Sequence, residues 1–459
     1  MLNESSLQAE LFQNTFLSNE TWQNIELPIT DSGKLTSWFQ TTELAVASIQ
    51  AAGIGLADVC SAANTTLVDR INVDSRLASL WFGMSIQAVG WQLPGAWDAV
   101  AGNYACSDGW IRLHTNAEHH RERAMSVLNC GENREAVADA VKKWHAAELE
   151  QAIVEAGGCA AEMRSCEHWQ QHAQGKAVAS EPLVQWKEHG TVSSKPVAFT
   201  TDRPLAGLRV LDLTRVLAGP VSTRFLAAFG ADVLRIDPES WNEPGVVPEV
   251  TLGKRCAHLD LRNPTDHAHF LKLVESADVL VHGYRPGAMS GLGLDDKTLL
   301  QANPGLINIS LSAYGWTGPW GERRGFDSLV QMSCGIADHG MQQAGATAPV
   351  PLPVQALDHA TGYLMASAAL HAVAERIRSG RVMSAKLSLA RTAHLLMTYK
   401  ELNPSETFAA KSSNDFAPAI EQTHWGAAQR VKFPMAFNSF EANYLLPATD
   451  LRSVAPNWL

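Results

Sequence analysis

The sequence predicts an α/β protein: a doubly wound parallel sheet with a second, smaller α+β domain. Two observations carry this. From about residue 204 onward, short strand-like apolar runs alternate with helix-length segments, the pattern of a parallel, doubly wound sheet. Before that, residues 71–190 hold a hairpin signal followed by helices, and a polar, proline-marked stretch separates them from the alternating half.

The bulk numbers narrow the function. With 459 residues the chain can bury more than one core. A formal net charge of -11 argues against a nucleic-acid binder, and any anionic ligand must rely on local basic groups. Seven scattered cysteines without a C-x-x-C pair fit reduced thiols in the cytoplasm. The acidic N-terminus lacks the pattern of a signal peptide, and no uninterrupted apolar run is long enough to span a bilayer, so no membrane role is expected.

Taken in order, residues 1–70 read as a helical segment with no chemistry of their own. Within 71–190, Asp108-Gly109 marks a two-residue turn between apolar flanks over Asn103–His114, and helices follow at Arg134–Trp144 and Ala147–Glu155. His119-His120 reads as a solvated helix start. His168 and His172, and Cys159 and Cys166, lack metal-site spacing, so no metal is expected. Residues 191–203 read as linker. Residues 204–400 then give strands at Leu208–Leu213, Asp232–Asp237, Asp278–Val281 and Leu306–Leu311. Helices lie between them, opened by Pro220, Asn263-Pro264 and Asp295-Asp296. Helix is expected again from Gly380 to about Glu401. Residues 401–459 read as an irregular tail, with Arg430–Met435 as an edge strand.

Ligands in such sheets bind beyond the C-terminal strand ends. Three loops leave those ends: Thr214–Gly219, His282–Gly287 and Ser312–Gly318. None is a G-x-G-x-x-G fingerprint, and no Walker A motif, G-x-S-x-G elbow or internal repeat stands out. Arg215, Lys254, Arg255, Arg262 and Arg285 are basic groups near those ends, each equally readable as a solvated charge.

The stretch Pro351–Leu370 passes from proline-held extended chain into a helix, whose apolar stripe includes Tyr363, Ala366, Leu370, Val373 and Ile377. Asp358 stands at that passage. One reading is an N-cap residue. The other is a carboxylate nucleophile, kept ionised by the helix N–H groups and dipole.

The run Pro204-Leu-Ala-Gly-Leu-Arg-Val-Leu-Asp-Leu-Thr-Arg-Val-Leu-Ala-Gly-Pro220 resembles the opening of the family III CoA-transferases. The likeness continues through Gly230–Asp237, Gly253–Arg255, Leu259–Arg262, Ala277–Val281, Arg285–Gly287, Gly318-Pro319, Gly325–Asp327 and Leu357–Gly362, in the family's order. It implies a Rossmann-like sheet, an interlocked homodimer, and acyl-CoA and carboxylic acid as substrates. CoA then enters as part of a substrate, with no permanently bound cofactor. It also implies that Asp358 is the nucleophile, and that the adenosine end of CoA lies along Val216, Leu217, Pro238, Leu259 to Arg262, and Gly283, Tyr284 and Arg285, with Arg215 a basic candidate beside them. Lys254 and Arg255 join these as basic candidates. The chain departs from the family in domain order, because the small domain precedes the CoA-binding half. Pro238, Gly291 and Ser312 stand where better-known members carry basic contacts. The resemblance also admits an acyl-CoA racemase or a non-catalytic CoA-binding relative. The racemases pair the aspartate with a histidine at the position of Phe326, leaving His359 or His339 as substitutes.

Overall fold

In the computed structural model, residues 6–18, 20–193, 199–404 and 407–459 are described. Part of the expected linker, 194–198, lies outside them. Seven strands form the central sheet: β1 (Gln185–Thr191), β2 (Arg209–Leu213), β3 (Asp232–Asp237), β4 (Arg255–His258), β5 (Val279–His282), β6 (Ile307–Ser312) and β7 (Arg381–Ser388). Their spatial order is β4-β3-β2-β5-β6-β7-β1. All neighbours are parallel except β1, which runs antiparallel along β7. Leaving β1 aside, the order reverses direction between β2 and β5, the doubly wound arrangement in which a crevice opens at the reversal.

The helices that matter here are α1 (Thr41–Ala62), α2 (Glu118–Leu128), α3 (Ala218–Ala228), α4 (Asp327–Ser333), α5 (Ala356–Ser379) and α6 (Leu389–Thr398). Helix α5 is buried from Ala356 to Ala374 and sits in the main core between α1 and α3. Gly362 permits the α3 contact: a Cβ there would lie 2.4 Å from the Ala218 carbonyl oxygen and 2.8 Å from Val221 Cβ. Gly362→Ala is expected to cost about 3 kcal/mol in a urea melt, because a backbone carbonyl cannot rotate away. Gly291→Ala, with nothing within 4 Å of its added Cβ, should stay within about 0.5 kcal/mol.

Helix α1 is long and apolar enough to cross a membrane by length and composition, yet 94% of its apolar window is buried. Ser48 and Gln50 break the apolar run, and both are buried within the protein. The smaller unit has its own core of Tyr104, Ile111, Leu113, Leu128, Val137, Leu149 and Ile153. Its sheet is Gly102–Ala105, Trp110–Leu113 and Ala160–Glu162, with α2 and the helices Arg134–Val141 and Ala146–Glu155.

Four segments depart from expectation. Residues Gln185–Thr191 form β1, an exposed, polar edge strand of the central sheet, although the sequence places 185–190 in the smaller domain and 191 in the linker. Ile71–Asp74 joins a sheet with Ile29-Thr30 and Met435–Phe437, away from the smaller unit's sheet. Residues 381–388 form strand rather than helix, and α6 begins only at Leu389. The tail holds a hairpin, Phe416–Thr423 with Gly426–Val431, so Arg430 and Val431 end a strand and do not begin one.

Candidate active site

The loops after β2 and β5 frame a cleft of about 320 Å³ at the point where the strand order reverses. Thr214, Arg215, Val216 and Ala218 line one side, and Gly283, Tyr284, Arg285 and Pro286 another. Ser312 and Ala313 come from the loop after β6, Asp358 from α5, and His119 and His120 from α2 of the smaller unit. Arg323, Arg324 and Phe326 complete the lining.

Asp358 is the third residue of α5, since Gln355 is the N-cap. Its carboxyl is therefore not a cap. The N–H groups at the helix start find another acceptor: the Asp358 N–H donates to Asp327 Oδ2 at 2.9 Å. Gln331 Nε2 donates to Asp327 Oδ1 at 2.5 Å, and Gln331 Oε1 accepts from the Leu352 N–H at 2.7 Å. One carboxylate on α4 thus ties the approach strand and the start of α5 together.

That arrangement opposes the expected ionisation. Burial pushes the Asp358 carboxyl well above the usual carboxylate range, and nearby Asp327 and Glu243 push it further. Burial likewise raises Asp327 to about 6, although it accepts backbone N–H groups. The helix dipole is outweighed because Asp358 is buried beside two other carboxyls and, among the described residues, has no cation paired to it.

Arg215 bridges to Asp237 at 3.2 Å, and Arg235 holds the same carboxylate at 2.9 Å. Val216 has φ +62°, a left-handed conformation that a β-branched residue rarely takes. Its N–H is accepted by Glu243, which burial raises to about 7. Arg285 donates to the Glu322 carbonyl at 3.4 Å, and its pKa is lowered by burial and by neighbouring Arg324. No carboxylate pairs with either guanidinium among the described residues, so this wall of the cleft is positive in a negatively charged protein.

The structure thus brings Asp358 together with Arg215, Val216, Gly283, Tyr284 and Arg285. Five other candidates do not line the cleft. Leu217 is the residue before α3 and is 8% exposed. Lys254, read as a basic contact, has no exposed side chain: its Nζ donates to Asp212 Oδ2 and the Pro220 carbonyl, both at 2.9 Å. Arg255 is held by Asp232 at 2.7 Å. Leu259 packs in the core with Leu211, Leu234 and Phe270. Arg262 is largely exposed and pairs with Asp260 at 3.0 Å.

Several lining residues escaped the sequence. His120 is 4% exposed rather than solvated, and neither ring nitrogen has a hydrogen-bond partner among the described residues. Burial lowers it to about 3. Phe326 stacks on His114 with ring centroids 3.7 Å apart. His359 stacks on Phe82 away from the cleft, and His339 packs on Phe39. Arg323 and Arg324 had one legible signal, a basic doublet directly before the Gly325-Phe-Asp327 motif.

Residues 205–429 match CoA-transferase family III. The chain carries a family III CoA-transferase domain. Its relatives include an acyl-CoA transferase of Gibberella moniliformis, 28% identical over 60% of this chain and 52% of the relative. The probable fatty acyl-CoA transferase of Mycobacterium tuberculosis is 34% identical over 39% of this chain and 48% of the relative. A crystal structure of a hypothetical protein from the same organism is 31% identical, covers 43% of this chain and 59% of that one, and superposes with a TM-score of 0.38. The chain spans about half the length of the curated relatives it matches. Within the family III domain, Asp358 and the loops after β2 and β5 fall inside the matched residues, whereas His119 and His120 fall before them.

Proposed function

We propose that the protein moves CoA from an acyl-CoA thioester to a free carboxylic acid, with Asp358 as nucleophile. The observation that carries this reading is a buried carboxyl with no paired cation among the described residues, facing a cleft at the strand-order reversal. Once ionised, such a carboxylate is poorly stabilised and correspondingly reactive. Asp358 attacks the thioester carbonyl, the C–S bond breaks, and a mixed anhydride and CoA thiolate result. The thiolate attacks the aspartyl carbonyl of the anhydride and releases the first acid as a carboxylate. The second acid's carboxylate then attacks the aspartyl-CoA thioester, and the expelled thiolate takes the new acyl group, freeing Asp358. Arg285 and Arg324 supply positive charge for CoA or for the acid. Arg215, Val216, Gly283 and Tyr284 supply the loop surface along which CoA lies. A reducing cytoplasmic setting is part of this reading, supported by seven cysteines that are all free.

The test is exchange: a panel of acyl-CoAs is incubated with free carboxylic acids, and new acyl-CoAs are identified by mass spectrometry. Their absence with every pair would remove the transferase reading. A racemase would need a second acid–base group. Phe326 occupies the relevant position, and His359 lies away from the cleft. In heavy water, a 2-methylacyl-CoA is therefore expected to keep its α-proton. Rapid deuterium uptake, read by mass shift, would favour the racemase.

A further inference from the structure

Two stretches of the chain share four elements in the same order, with the helix Ile336–Gln343 extra in one and the helix Glu20–Gln23 and strand Ile29–Thr30 extra in the other. Residues 326–398 give α4, α5, β7 and α6. Residues 6–81 give the helix Leu7–Thr15, then α1, the strand Ile71–Asp74 and the helix Ser75–Trp81. The likeness reaches local detail. Each long helix starts after a glutamine without a side-chain cap bond, at φ -70°, ψ 59° for Gln40 and φ -77°, ψ 64° for Gln355. Each start has the same tight turn, Thr41 N–H to the Phe39 carbonyl at 2.6 Å and Ala356 N–H to the Val354 carbonyl at 2.8 Å. Each strand ends on a residue that caps the next helix three positions on: Asp74 accepts from the Leu77 N–H, and Ser388 from the Arg391 N–H.

Counting from the two glutamines puts Glu43 opposite Asp358 and Gly55 opposite Leu370. Gly55 and Leu370 meet: a Cβ on Gly55 would lie 3.1 Å from Leu370 Cβ. A contact between equivalent positions is what a two-fold axis through the helix pair requires. The stretch 6–81 also has its own cleft, about 330 Å³ against 320 Å³. The residue before the first helix lines each cleft (Ser6; Phe326), as do the third residue of the long helix (Glu43; Asp358) and the first of the short helix (Ser75; Leu389). The difference lies in charge. Lys34 Nζ sits 2.6 Å from Glu43 Oε1 and both are partly exposed, whereas Asp358 is buried and has no paired cation among the described residues.

We infer that residues 6–81 are a second copy of the catalytic unit, related to residues 326–398 by a pseudo-two-fold axis between α1 and α5. In this copy Glu43 holds the nucleophile's place and Lys34 silences it. The chain therefore contains one working carboxylate and brings its own partner for α5. A homodimer, which the resemblance implies, would then form on another surface. The silencing clause rests on the transferase reading; the repeat does not.

The axis predicts a contact. Ser367 Oγ donates to the Ala51 carbonyl at 2.8 Å, and the symmetry mate of that pair is Ala366 with Ala52. Under mild oxidation, Ala52→Cys with Ala366→Cys should form an intrachain disulfide, as should the reference pair Ala51→Cys with Ser367→Cys. Loss of two mass units without a dimer band reads it. A reference pair that links while its mate stays reduced overturns the axis. Hydroxylamine trapping on the unaltered protein with acyl-CoA tests the silencing without touching the core. A hydroxamate at Asp358 alone is expected, and one at Glu43 overturns the claim. Glu43→Gln should retain transfer within twofold, and a loss as deep as that of an Asp358 variant overturns it too. If no hydroxamate forms anywhere, the transferase reading fails, and the disulfide pairs still decide the repeat.

Discussion

Asp358→Ala should lower CoA transfer by about 10⁴-fold or more while acyl-CoA still binds, since the loss of a covalent nucleophile falls on the chemical step. Turnover and binding are measured separately, and a variant with near-normal turnover would end the assignment. Asp358→Asn should be equally inactive but more stable than the parent. Burial and the neighbouring Asp327 and Glu243 raise the Asp358 pKa, so the folded protein binds that proton more tightly than the unfolded chain. Stability from this group is therefore full below the ordinary carboxylate range and is lost as pH rises through the raised folded value. The asparagine, which never ionises, should gain on the order of 1 kcal/mol at neutral pH over the parent, read from denaturant midpoints. The gap should close at acid pH, where the parent's carboxyl is protonated. Transfer by the parent should rise with pH in the window where stability falls. A transfer rate already flat from pH 5 upward would contradict the raised value.

The parallel sheet was legible because its strands are buried on both faces and spelled in short Leu/Val-rich runs such as Leu208–Leu213 and Asp278–Val281. β1 was not, because an edge strand reading Gln-Trp-Lys-Glu-His-Gly-Thr is polar and half exposed. β7 was misread as helix: Leu387, Leu389 and Leu395 suit a helical stripe, but Leu387 belongs to a strand and the other two to α6. Asp358 was legible as to place and not as to the groups that oppose its ionisation. Its ionisation depends on Asp327 and Glu243, which are 31 and 115 residues away in the chain. No local pattern reports that. His120 is the same case, a histidine doublet that only tertiary packing turns toward the cleft.

Lys254 is where sequence and structure part furthest, and its replacement should have the second-largest effect. As a CoA contact, Lys254→Met would weaken acyl-CoA binding and leave the fold intact. The structure instead places Nζ in a sealed site with Asp212, whose other contacts are Thr214 and Thr223 at 2.5 Å each. Burial lowers the lysine to about 8, against the pull of Asp212. Burial would raise Asp212, yet Lys254, Arg235 and the two hydroxyls hold it at about 2. The ion pair is therefore intact at neutral pH. Removing the cation leaves a fully buried carboxylate without its partner, a loss of about 3–5 kcal/mol. Lys254→Met should therefore lower the denaturant midpoint sharply, and Lys254→Met with Asp212→Asn should recover much of it, because no buried charge is then left alone. The loop from Thr214 to Val216 hangs on Asp212, so transfer should fall with the fold in the single variant and return in part in the double. A single variant with parental stability and a raised KM for acyl-CoA would restore Lys254 to the binding site.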